Sequence, residues 1–270
     1  MNIYKSLNEM VNYIEDNLEN KIEYNKLSQF LGTNEYILQR VFSIICNTTL
    51  ADYIRKRRLS NAGVDLYKTN QKIVDIAIKY QYDSATSFSR AFEKFHGIKP
   101  SHVRNSPDGL KFFPKFIFKE NEIEDTKVEY SILETNELIL YGTYVETDII
   151  KIKNDAPIHF QNMDSKYVSM YGDIPYGMVE YIDRFNECKC KYWTLYNKKI
   201  DEFTKYIIPK SKWIVFKINS QNPKEIQETS DMFYLNFIND CKYKIRNLPE
   251  LEYYHDNITE LLFPIEDWLF

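Results

Sequence analysis

Apolar residues recur every three or four positions along the first hundred residues, which predicts a series of amphipathic helices. The first predicted helix spans residues 3–18, and a shorter one ends at Gly32, because glycine readily adopts the left-handed conformation at a helix end. Thr33 is a good N-cap for the third helix. A long fourth helix is predicted over residues 50–68. A helix, a tight turn and a second short helix are the signature of a helix-turn-helix unit.

The same three-helix pattern recurs with an offset of 50 residues. The second pair of short helices spans about residues 73–96, and Asp83 or Ser84 can cap its second helix. Core residues recur at matching positions, as packing requires. An arginine on the polar side recurs as well, Arg40 in the first unit and Arg90 in the second, and packing does not require it. The repeat therefore predicts two similar units that share a function on their polar faces.

After residue 106 the pattern changes to turn dipeptides and short β-like runs. Ser-Pro and Asp-Gly predict a linker over residues 107–126. Beyond the linker, runs rich in Val, Ile, Tyr, Phe and Trp predict strands, and one segment predicts a helix. Strands mixed with a few helices favour an antiparallel α+β domain. The strands are predicted at 127–133, 137–145, 167–171, 192–196, 212–218, 251–254 and 260–264, and the helix at 223–239.

These patterns predict a multidomain chain, with an all-α domain of two helix-turn-helix units at 1–106, a linker at 107–126 and an antiparallel α+β domain at 127–270. A length of 270 residues favours two domains, and 44% hydrophobic residues are enough for packed cores. Glycine-rich phosphate loops are absent from the sequence and its four cysteines are scattered, so no cofactor and no metal are expected. The apolar stretches are all shorter than the ~18 residues of a membrane span. The expected location is therefore the cytoplasm, with no membrane partner.

Charge is distributed unevenly along the chain, and two cysteines lie close together in its second half. Residues 1–104 have 15 basic and 11 acidic side chains, whereas the remainder has 20 basic and 28 acidic ones. The basic front suits phosphate, and the acidic back favours neutral or cationic ligands. Cys188 and Cys190 could sense redox state or bind a metal; the alternative is that they occupy one face of a strand.

Double-stranded DNA is the partner that the repeated helices predict. An α-helix fits the major groove, where arginine can bond guanine and glutamine can bond adenine through two hydrogen bonds. Tyr36 is expected on the DNA backbone rather than on a base. Arg55 begins a basic run that could contact phosphate or form ion pairs within the domain, and a solvated surface position is the alternative for any single arginine. The predicted DNA-binding residues are Asn34, Tyr36, Gln39, Arg40, Ser43, Arg55, Thr86, Ser87 and Arg90.

Residues 73–104, IVDIAIKYQYDSATSFSRAFEKFHGIKPSHVR, resemble the signature of the AraC/XylS family of bacterial regulators. Gln81 stands where the family usually has glycine, and Ser87 replaces the usual aromatic residue. The first unit also fits, with Arg40 at the family's base-reading position. The resemblance implies transcription regulation, with RNA polymerase as an expected partner. The matching residues are Ile73, Ile76, Ala77, Tyr82, Asp83, Phe88, Ser89, Arg90, Phe92, Gly97, Pro100 and Arg104.

The DNA-binding part comes first in this chain, as in the Rob-like subgroup, whose C-terminal half is a GyrI-like domain. Residues 210–238 and 249–265 resemble that domain, although its glycines near Ser211 and Ser220 are absent. The resemblance implies a cleft for an amphipathic, often cationic effector, since a carboxylate among aromatic rings attracts a cation. The predicted ligand-binding residues are Glu252, Glu260, Trp193, Tyr192 and Tyr254.

The sequence thus predicts a DNA-binding transcription regulator that is controlled by a small molecule and is not an enzyme. One alternative is that the C-terminal domain hydrolyses its ligand with a water activated by Glu252, beside which His255 lies in sequence. Another is that this domain binds a protein and no small ligand.

Overall fold

A computed structural model describes residues 3–105, 107–119, 129–183, 188–240 and 243–266, except the side chains at 164–165, 183 and 236–240. The chain divides into two compact units. The first unit comprises Met1–Leu38 and Leu50–Glu122, and the second comprises Gln39–Thr49 and Ile123–Phe270. The first is helical and the second is an antiparallel sheet with helices, so the predicted combination of an all-α part and an α+β part is confirmed.

The helices of the first part of the chain follow the predicted pattern closely. The long helix was predicted over 50–68, and the structure has it at the same bounds. The observed helices are α1 (Ile3–Asp16), α2 (Tyr24–Phe30), α3 (Glu35–Cys46), α4 (Leu50–Lys68), α5 (Ile73–Lys79) and α6 (Ala85–His96), followed by 3-10 turns at Pro100–His102 and Pro107–Gly109. The boundary between the two units falls within α3, after Leu38.

A continuous apolar cluster holds α4, α5 and α6 together. Phe88 and Phe92 of α6 are fully buried in it, and their rings lie 5.5 Å apart. Tyr80 is buried in the same cluster, and its hydroxyl donates to Asp65 Oδ2 at 2.8 Å. The outward face of α6 is thereby fixed by the burial of its inward face. The cluster consists of Leu59, Ala62, Leu66, Ile76, Ala77, Tyr80, Phe88, Phe92 and Val103.

The basic run of α4 stabilises the helical unit from within. Arg57 donates two hydrogen bonds to the Glu15 carboxylate at 2.7 and 2.9 Å, which ties α4 to α1. Arg58 donates to the carbonyl oxygens of Leu18 and Asn20, each at 2.8 Å. Of the two alternatives left open by the sequence, the intradomain ion pair is the one that Arg57 forms. Arg55 pairs with Asp52 but keeps 57% of its side chain exposed.

Part of the segment predicted as a linker packs against the helical unit. The backbone N–H of Phe113 donates to Ser60 Oγ at 2.9 Å. The N–H of Phe118 donates to Asn8 Oδ1 at 2.9 Å, and the Asn8 amide donates back to the Phe118 carbonyl at 2.7 Å. Phe116 stacks on Tyr53 with a centroid distance of 4.9 Å. Residues 110–118 therefore form a strap on the helices, which we call the α1–α4 strap.

Both helix-turn-helix turns contain a residue in the left-handed region. Gly32 has φ 60° in the first turn, as its position predicted, and Gln81 has φ 65° in the second. Gln81 departs from the glycine of the resembling family, and its side-chain amide donates to the Glu19 carbonyl at 2.7 Å. A side chain in this region strains the backbone, whereas glycine does not.

Gln81→Gly and Gln81→Ala both remove this amide, so their difference isolates the backbone strain. We expect the glycine variant to be more stable by roughly 1 kcal/mol. Urea unfolding monitored by circular dichroism measures that difference. Equal stability of the two variants would show that the turn does not strain a side chain.

The second unit is built around one antiparallel sheet. The strands are β1 (Ser131–Thr135), β2 (Leu138–Asp148), β3 (Tyr176–Asp183), β4 (Lys189–Tyr196), β5 (Thr204–Ile208), β6 (Ser211–Ile218), β7 (Lys244–Ile245), β8 (Glu250–His255) and β9 (Ile258–Glu266). In the described part of the chain their order in the sheet is β1-β6-β9-β8-β3-β4-β2-β5, and β7 pairs with β9. Helix α7 (Ile152–Tyr171) packs on β2 and β4, and α8 (Pro223–Asp240) packs on β6 and β9.

Several predicted elements differ from the observed ones. The strand predicted at 167–171 is wrong, because these residues form the last turn of α7. The predicted run at 127–133 begins outside the described residues, and the observed strand extends to Thr135. Cys190 lies in β4, but Cys188 precedes the strand with φ 49°, so the two do not share a regular strand. Burial raises the pKa of Cys190 to about 12, which keeps that thiol protonated at neutral pH.

Candidate DNA-binding helices and ligand cleft

Helix α6 presents its predicted DNA-binding residues to solvent. Ser84 caps the helix by accepting a hydrogen bond from the Ser87 backbone N–H at 3.1 Å. Thr86, Ser87 and Arg90 are exposed on the face opposite the buried Phe88. A capped helix whose exposed face carries hydroxyls and an arginine has the side chains that read a major groove.

Helix α3 differs from its counterpart α6 in the exposure of its polar face. Asn34, not the predicted Thr33, is the N-cap, because its Oδ1 accepts from the Ile37 N–H at 2.9 Å. Tyr36 is half-buried. Gln39, Arg40 and Ser43 were predicted to face solvent, and that prediction is wrong for this structure. Their exposed fractions are 2%, 7% and 5%, respectively.

The buried polar groups of α3 make their hydrogen bonds within the second unit, and two of them reach other elements. Cys188 Sγ lies 3.5 Å from Gln39 Oε1 as a hydrogen-bond donor. Arg40 Nη2 lies 3.4 Å from Ser230 Oγ on α8. Ser43 Oγ donates within the helix to the Arg40 carbonyl at 2.9 Å. In this conformation the three side chains form hydrogen bonds within the protein. Their role in DNA binding stays a prediction.

A cleft opens in the second unit between the sheet and its two helices. It contains about 540 Å³ of empty space, part of it open to solvent. Its walls combine apolar side chains from α7, α8, β3 and β9 with a small number of charged groups, which is the usual make-up of a ligand pocket. The apolar lining includes Ile152, Ala156, Val179, Ile226, Leu261 and Phe263, and the charged lining consists of Arg40, Lys153, Asp231, Glu250 and Glu252.

Glu252 lies in this cleft as a carboxylate held by two tyrosines. Tyr192 and Tyr254 both donate to its Oε2, at 2.7 and 2.6 Å. Burial raises the pKa of Glu252, and the nearby Glu250 adds to the rise, while the two tyrosine hydrogen bonds lower it in part. Burial and the charge of Glu252 raise the pKa of Tyr192 well above its usual value, so this hydroxyl stays a donor. The site therefore holds a buried acidic group beside aromatic rings.

A second carboxylate lies two residues earlier on the same strand and the same face. Glu250 is 8% exposed. Its Oε1 accepts from Tyr181 at 3.1 Å and from Tyr234 of α8. Glu250 and Glu252 face the cleft together because side chains alternate along a strand. The cleft thus contains two carboxylates, each bound by tyrosine hydroxyls.

A family profile that describes a helix-turn-helix domain matches residues 27–106. The transcriptional activator AarP of Providencia stuartii is 41% identical over 103 residues, which are 38% of this chain and 76% of AarP. The regulatory protein SoxS of Escherichia coli is 32% identical over 105 residues, 39% of this chain and 98% of SoxS. The chain belongs to the AraC-type helix-turn-helix transcription regulators. The resemblance predicted from residues 73–104 is confirmed.

Solved structures are also similar to parts of this AraC-type regulator. SAV2435, whose structure holds tetraphenylphosphonium, is 17% identical with a TM-score of 0.43, and the match covers 51% of this chain and 94% of SAV2435. A Vibrio cholerae integron cassette protein is 17% identical with a TM-score of 0.44 over 51% of this chain and 95% of its own. These scores are too low to establish a shared ligand. Among the described residues of the regulator, every helix is too short or too polar to span a membrane.

The structure brings three of the five predicted ligand residues of the regulator together and separates the other two. Tyr192, Glu252 and Tyr254 form the hydrogen-bonded group at the cleft. Trp193 is on the opposite face of β4, where its Nε1 donates to Glu180 Oε2 at 2.9 Å. Glu260 also lies away from the cleft, with its Oε1 3.4 Å from His255 Nε2. Neighbouring strand residues point to opposite faces, which is why Tyr192 and Trp193 could not both line one cleft.

Sequence reasoning missed three groups that shape the cleft. Glu250 could have been found, because alternation places it on the same face as Glu252. Tyr234 lies on a helix that was predicted, but nothing in the sequence indicates that its hydroxyl reaches Glu250. Gly177 is directly opposite Glu252 in the pairing of β3 with β8. A Cβ at Gly177 would lie 2.2 Å from Glu252 Oε2 and 2.6 Å from the Tyr192 hydroxyl, so only glycine leaves room for this pair.

Proposed function

We propose that this regulator binds specific DNA through α6 and α3 and is controlled by an amphipathic cation bound in the cleft at Glu252. The observation that carries the sensing part is the Glu252 carboxylate, held by Tyr192 and Tyr254 against apolar walls. Cations bind favourably where negative charge and ring faces coincide away from bulk water. The DNA-binding part rests on the family and on the exposed Arg90, with Thr86, Ser87 and Arg55 as further contacts.

Effector binding and DNA binding are coupled in this regulator. Binding of a cation at Glu252 changes DNA affinity, and DNA then changes the cation affinity by the same factor. RNA polymerase is the proposed protein partner, and the cytoplasm of a bacterium, where the chromosome lies, is the proposed location. The predicted bounds of 127–270 are proposed for the effector-binding domain, and the predicted DNA-binding domain of 1–106 is extended to residue 119, because the α1–α4 strap packs on its helices.

A gel-shift selection tests both parts together. Full-length protein selects DNA from a random pool, and the affinity for the selected sequence is measured with and without tetraphenylphosphonium, a lipophilic cation with no titratable proton. We expect sequence-specific binding and a changed affinity in the presence of the cation. Binding to DNA that does not respond to the cation would leave the regulator without its proposed effector class.

The hydrolase alternative has less support than binding alone. The matched relatives AarP and SoxS are transcription regulators, and two tyrosine hydroxyls hold Glu252 Oε2 in place, which suits a fixed ligand contact. We therefore propose binding without turnover. Release of product from an aryl ester by the wild-type protein, lost in Glu252→Gln, would support the hydrolase instead.

Gly177→Ala tests whether the close approach of Glu252 and Tyr192 forms the binding site. The new methyl group must displace one or both side chains, so we expect cation affinity to fall by at least about tenfold and stability to fall by roughly 1–3 kcal/mol. Titration calorimetry and thermal unfolding measure the two effects. Gly109→Ala, the same change in the first unit, should leave the cation affinity unchanged. Unaltered cation binding in Gly177→Ala would place the site elsewhere.

A further inference from the structure

The side chain of Arg40 lines the same cleft as the two carboxylates Glu250 and Glu252. Its guanidinium carbon lies 5.1 Å from the ring centroid of Tyr234, within the range of a cation–π contact. Its Nη2 lies 3.4 Å from Ser230 Oγ. With 7% of the residue exposed, the guanidinium is enclosed rather than solvated. A cation from the chain itself therefore already lies in the cleft.

The surroundings of Arg40 have the chemistry expected for a cationic ligand. Tyr234 offers its ring to the guanidinium and its hydroxyl to Glu250. Tyr181 donates to the same Glu250 oxygen at 3.1 Å. Burial and the charge of Glu250 raise the pKa of Tyr234, and the charge of Arg40 lowers it in part, as a nearby guanidinium should. The Tyr234 ring, the Glu250 carboxylate and the Arg40 guanidinium thus lie together beside Glu252.

Arg40 is also the counterpart, 50 residues earlier, of the exposed Arg90. An arginine reads guanine with the N–H groups of its guanidinium, so these groups must be accessible to the base. Arg90 meets that condition, and Arg40 at 7% exposure does not. Occupying the cleft and reading a base are therefore mutually exclusive states of the Arg40 side chain.

We propose, building on the function proposed above, that Arg40 is a tethered competitor of the effector: its guanidinium fills the cleft until a cationic ligand displaces it and makes it available to DNA. A ligand cation that contacts the ring of Tyr234 needs the space that the Arg40 guanidinium occupies, so the two cations exclude each other sterically. Ligand binding is then coupled to the exposure of a base-reading side chain. By linkage, DNA that engages Arg40 strengthens cation binding by the same factor.

The Arg40 side chain in the cleft also indicates which class of ligand could replace it. A guanidinium is a delocalised, weakly hydrated cation, in contrast to a compact ammonium group. A ligand that replaces it must supply comparable contact with the ring of Tyr234 and must cover apolar walls such as Val179 and Phe263. The cleft therefore suits an aryl or otherwise delocalised cation better than a small hydrated one.

Titration of tetraphenylphosphonium into full-length protein without DNA tests the competition. Arg40→Gln removes the internal cation, and we expect affinity to rise by roughly tenfold if Arg40 fills the cleft about nine-tenths of the time. Arg90→Gln is the matched control, since it makes the same change at the repeated position on α6, and its cation affinity should equal that of the wild type. Glu252→Gln reports separately on the cleft itself.

A second measurement uses the wild-type protein and needs no variant to fold. Phenylglyoxal modifies accessible arginine side chains, and mass spectrometry of peptides gives the rate at each position. We expect slow modification of Arg40 that accelerates when tetraphenylphosphonium is added, with the rate at Arg90 unchanged as the internal reference.

The outcomes separate the two proposals. Unchanged or weaker cation binding by a folded Arg40→Gln, or no acceleration of Arg40 modification, overturns the competitor role, while loss of binding in Glu252→Gln still supports the cleft as effector site. Absence of cation binding by the wild type and by Arg40→Gln alike overturns both. Cation binding that is measurable in Arg40→Gln but not in the wild type supports both proposals.

Discussion

Glu252→Gln should weaken binding of tetraphenylphosphonium by roughly 2 kcal/mol, about 30-fold, because the substitution removes the charge but keeps the shape and a hydrogen-bond acceptor. The loss should depend on pH. The pKa of Glu252 is raised by burial, so the wild-type carboxylate takes up a proton at a higher pH than an ordinary glutamate. Cation affinity should then decline as pH falls through that raised pKa, and Glu252→Gln should lack this part of the decline.

Titration calorimetry between pH 8 and pH 5 measures both effects, since the phosphonium charge does not titrate. The other charged groups at the cleft are Glu250, Asp231, Lys153 and Arg40, so the variant profile serves as the baseline for their contribution. Glu260→Gln is the matched control, because Glu260 lies on the neighbouring strand but away from the cleft. Equal losses in both variants would mean that net charge, and not the site at Glu252, attracts the cation.

Arg90→Ala should lower affinity for the selected DNA by roughly 1–3 kcal/mol and relax the base preference at one position of the site. The reason is geometric: Arg90 extends from the exposed face of a helix whose opposite face is fixed by Phe88 and Phe92. Arg90→Lys keeps the charge but loses the planar pair of donors. It should therefore retain the salt dependence of binding and still lose the base preference.

Gel-shift titrations against the selected site and single-base variants of it measure both properties. Thermal unfolding should show that neither substitution alters the fold, because the side chain is exposed. A uniform loss across all DNA variants would reassign Arg90 to a phosphate contact. No loss at all would remove α6 from the DNA interface.

The helices of the first unit were predictable because apolar residues recur at helical spacing along most of their length. In α4, Leu50, Tyr53 and Ile54 mark one end and Ala62 and Leu66 the other, with the basic run 55–58 between them, and both ends agree with the prediction. Helix α7 has no such signal, since Pro157 interrupts its hydrogen-bonding ladder. The residues from Tyr167 to Tyr171 favour strands by composition, but Tyr167 is buried in the core of the second unit as part of α7, and this packing overrides that preference.

The candidate site could be predicted only in part, for a different physical reason. Glu252, Tyr192 and Tyr254 could be predicted, because the resemblance to a GyrI-like domain indicates a carboxylate among aromatic rings. The position of Arg40 depends on which side chains of α8 and the sheet surround α3, and helical periodicity says which face a residue is on but not what covers it. Exposure of Arg90 and burial of Arg40, at matching positions of one repeat, illustrate this limit.

The α1–α4 strap affects how a minimal DNA-binding fragment of this regulator should be cut. Truncation at the end of the family signature, after Arg104, would strip Phe113 and Phe116 from the ring of Tyr53 and leave the Asn8 amide without its backbone partners. The remaining helices would expose an aromatic surface to water and tend to associate. A fragment that continues to residue 119 keeps the strap over this aromatic surface and is the better choice for study in isolation.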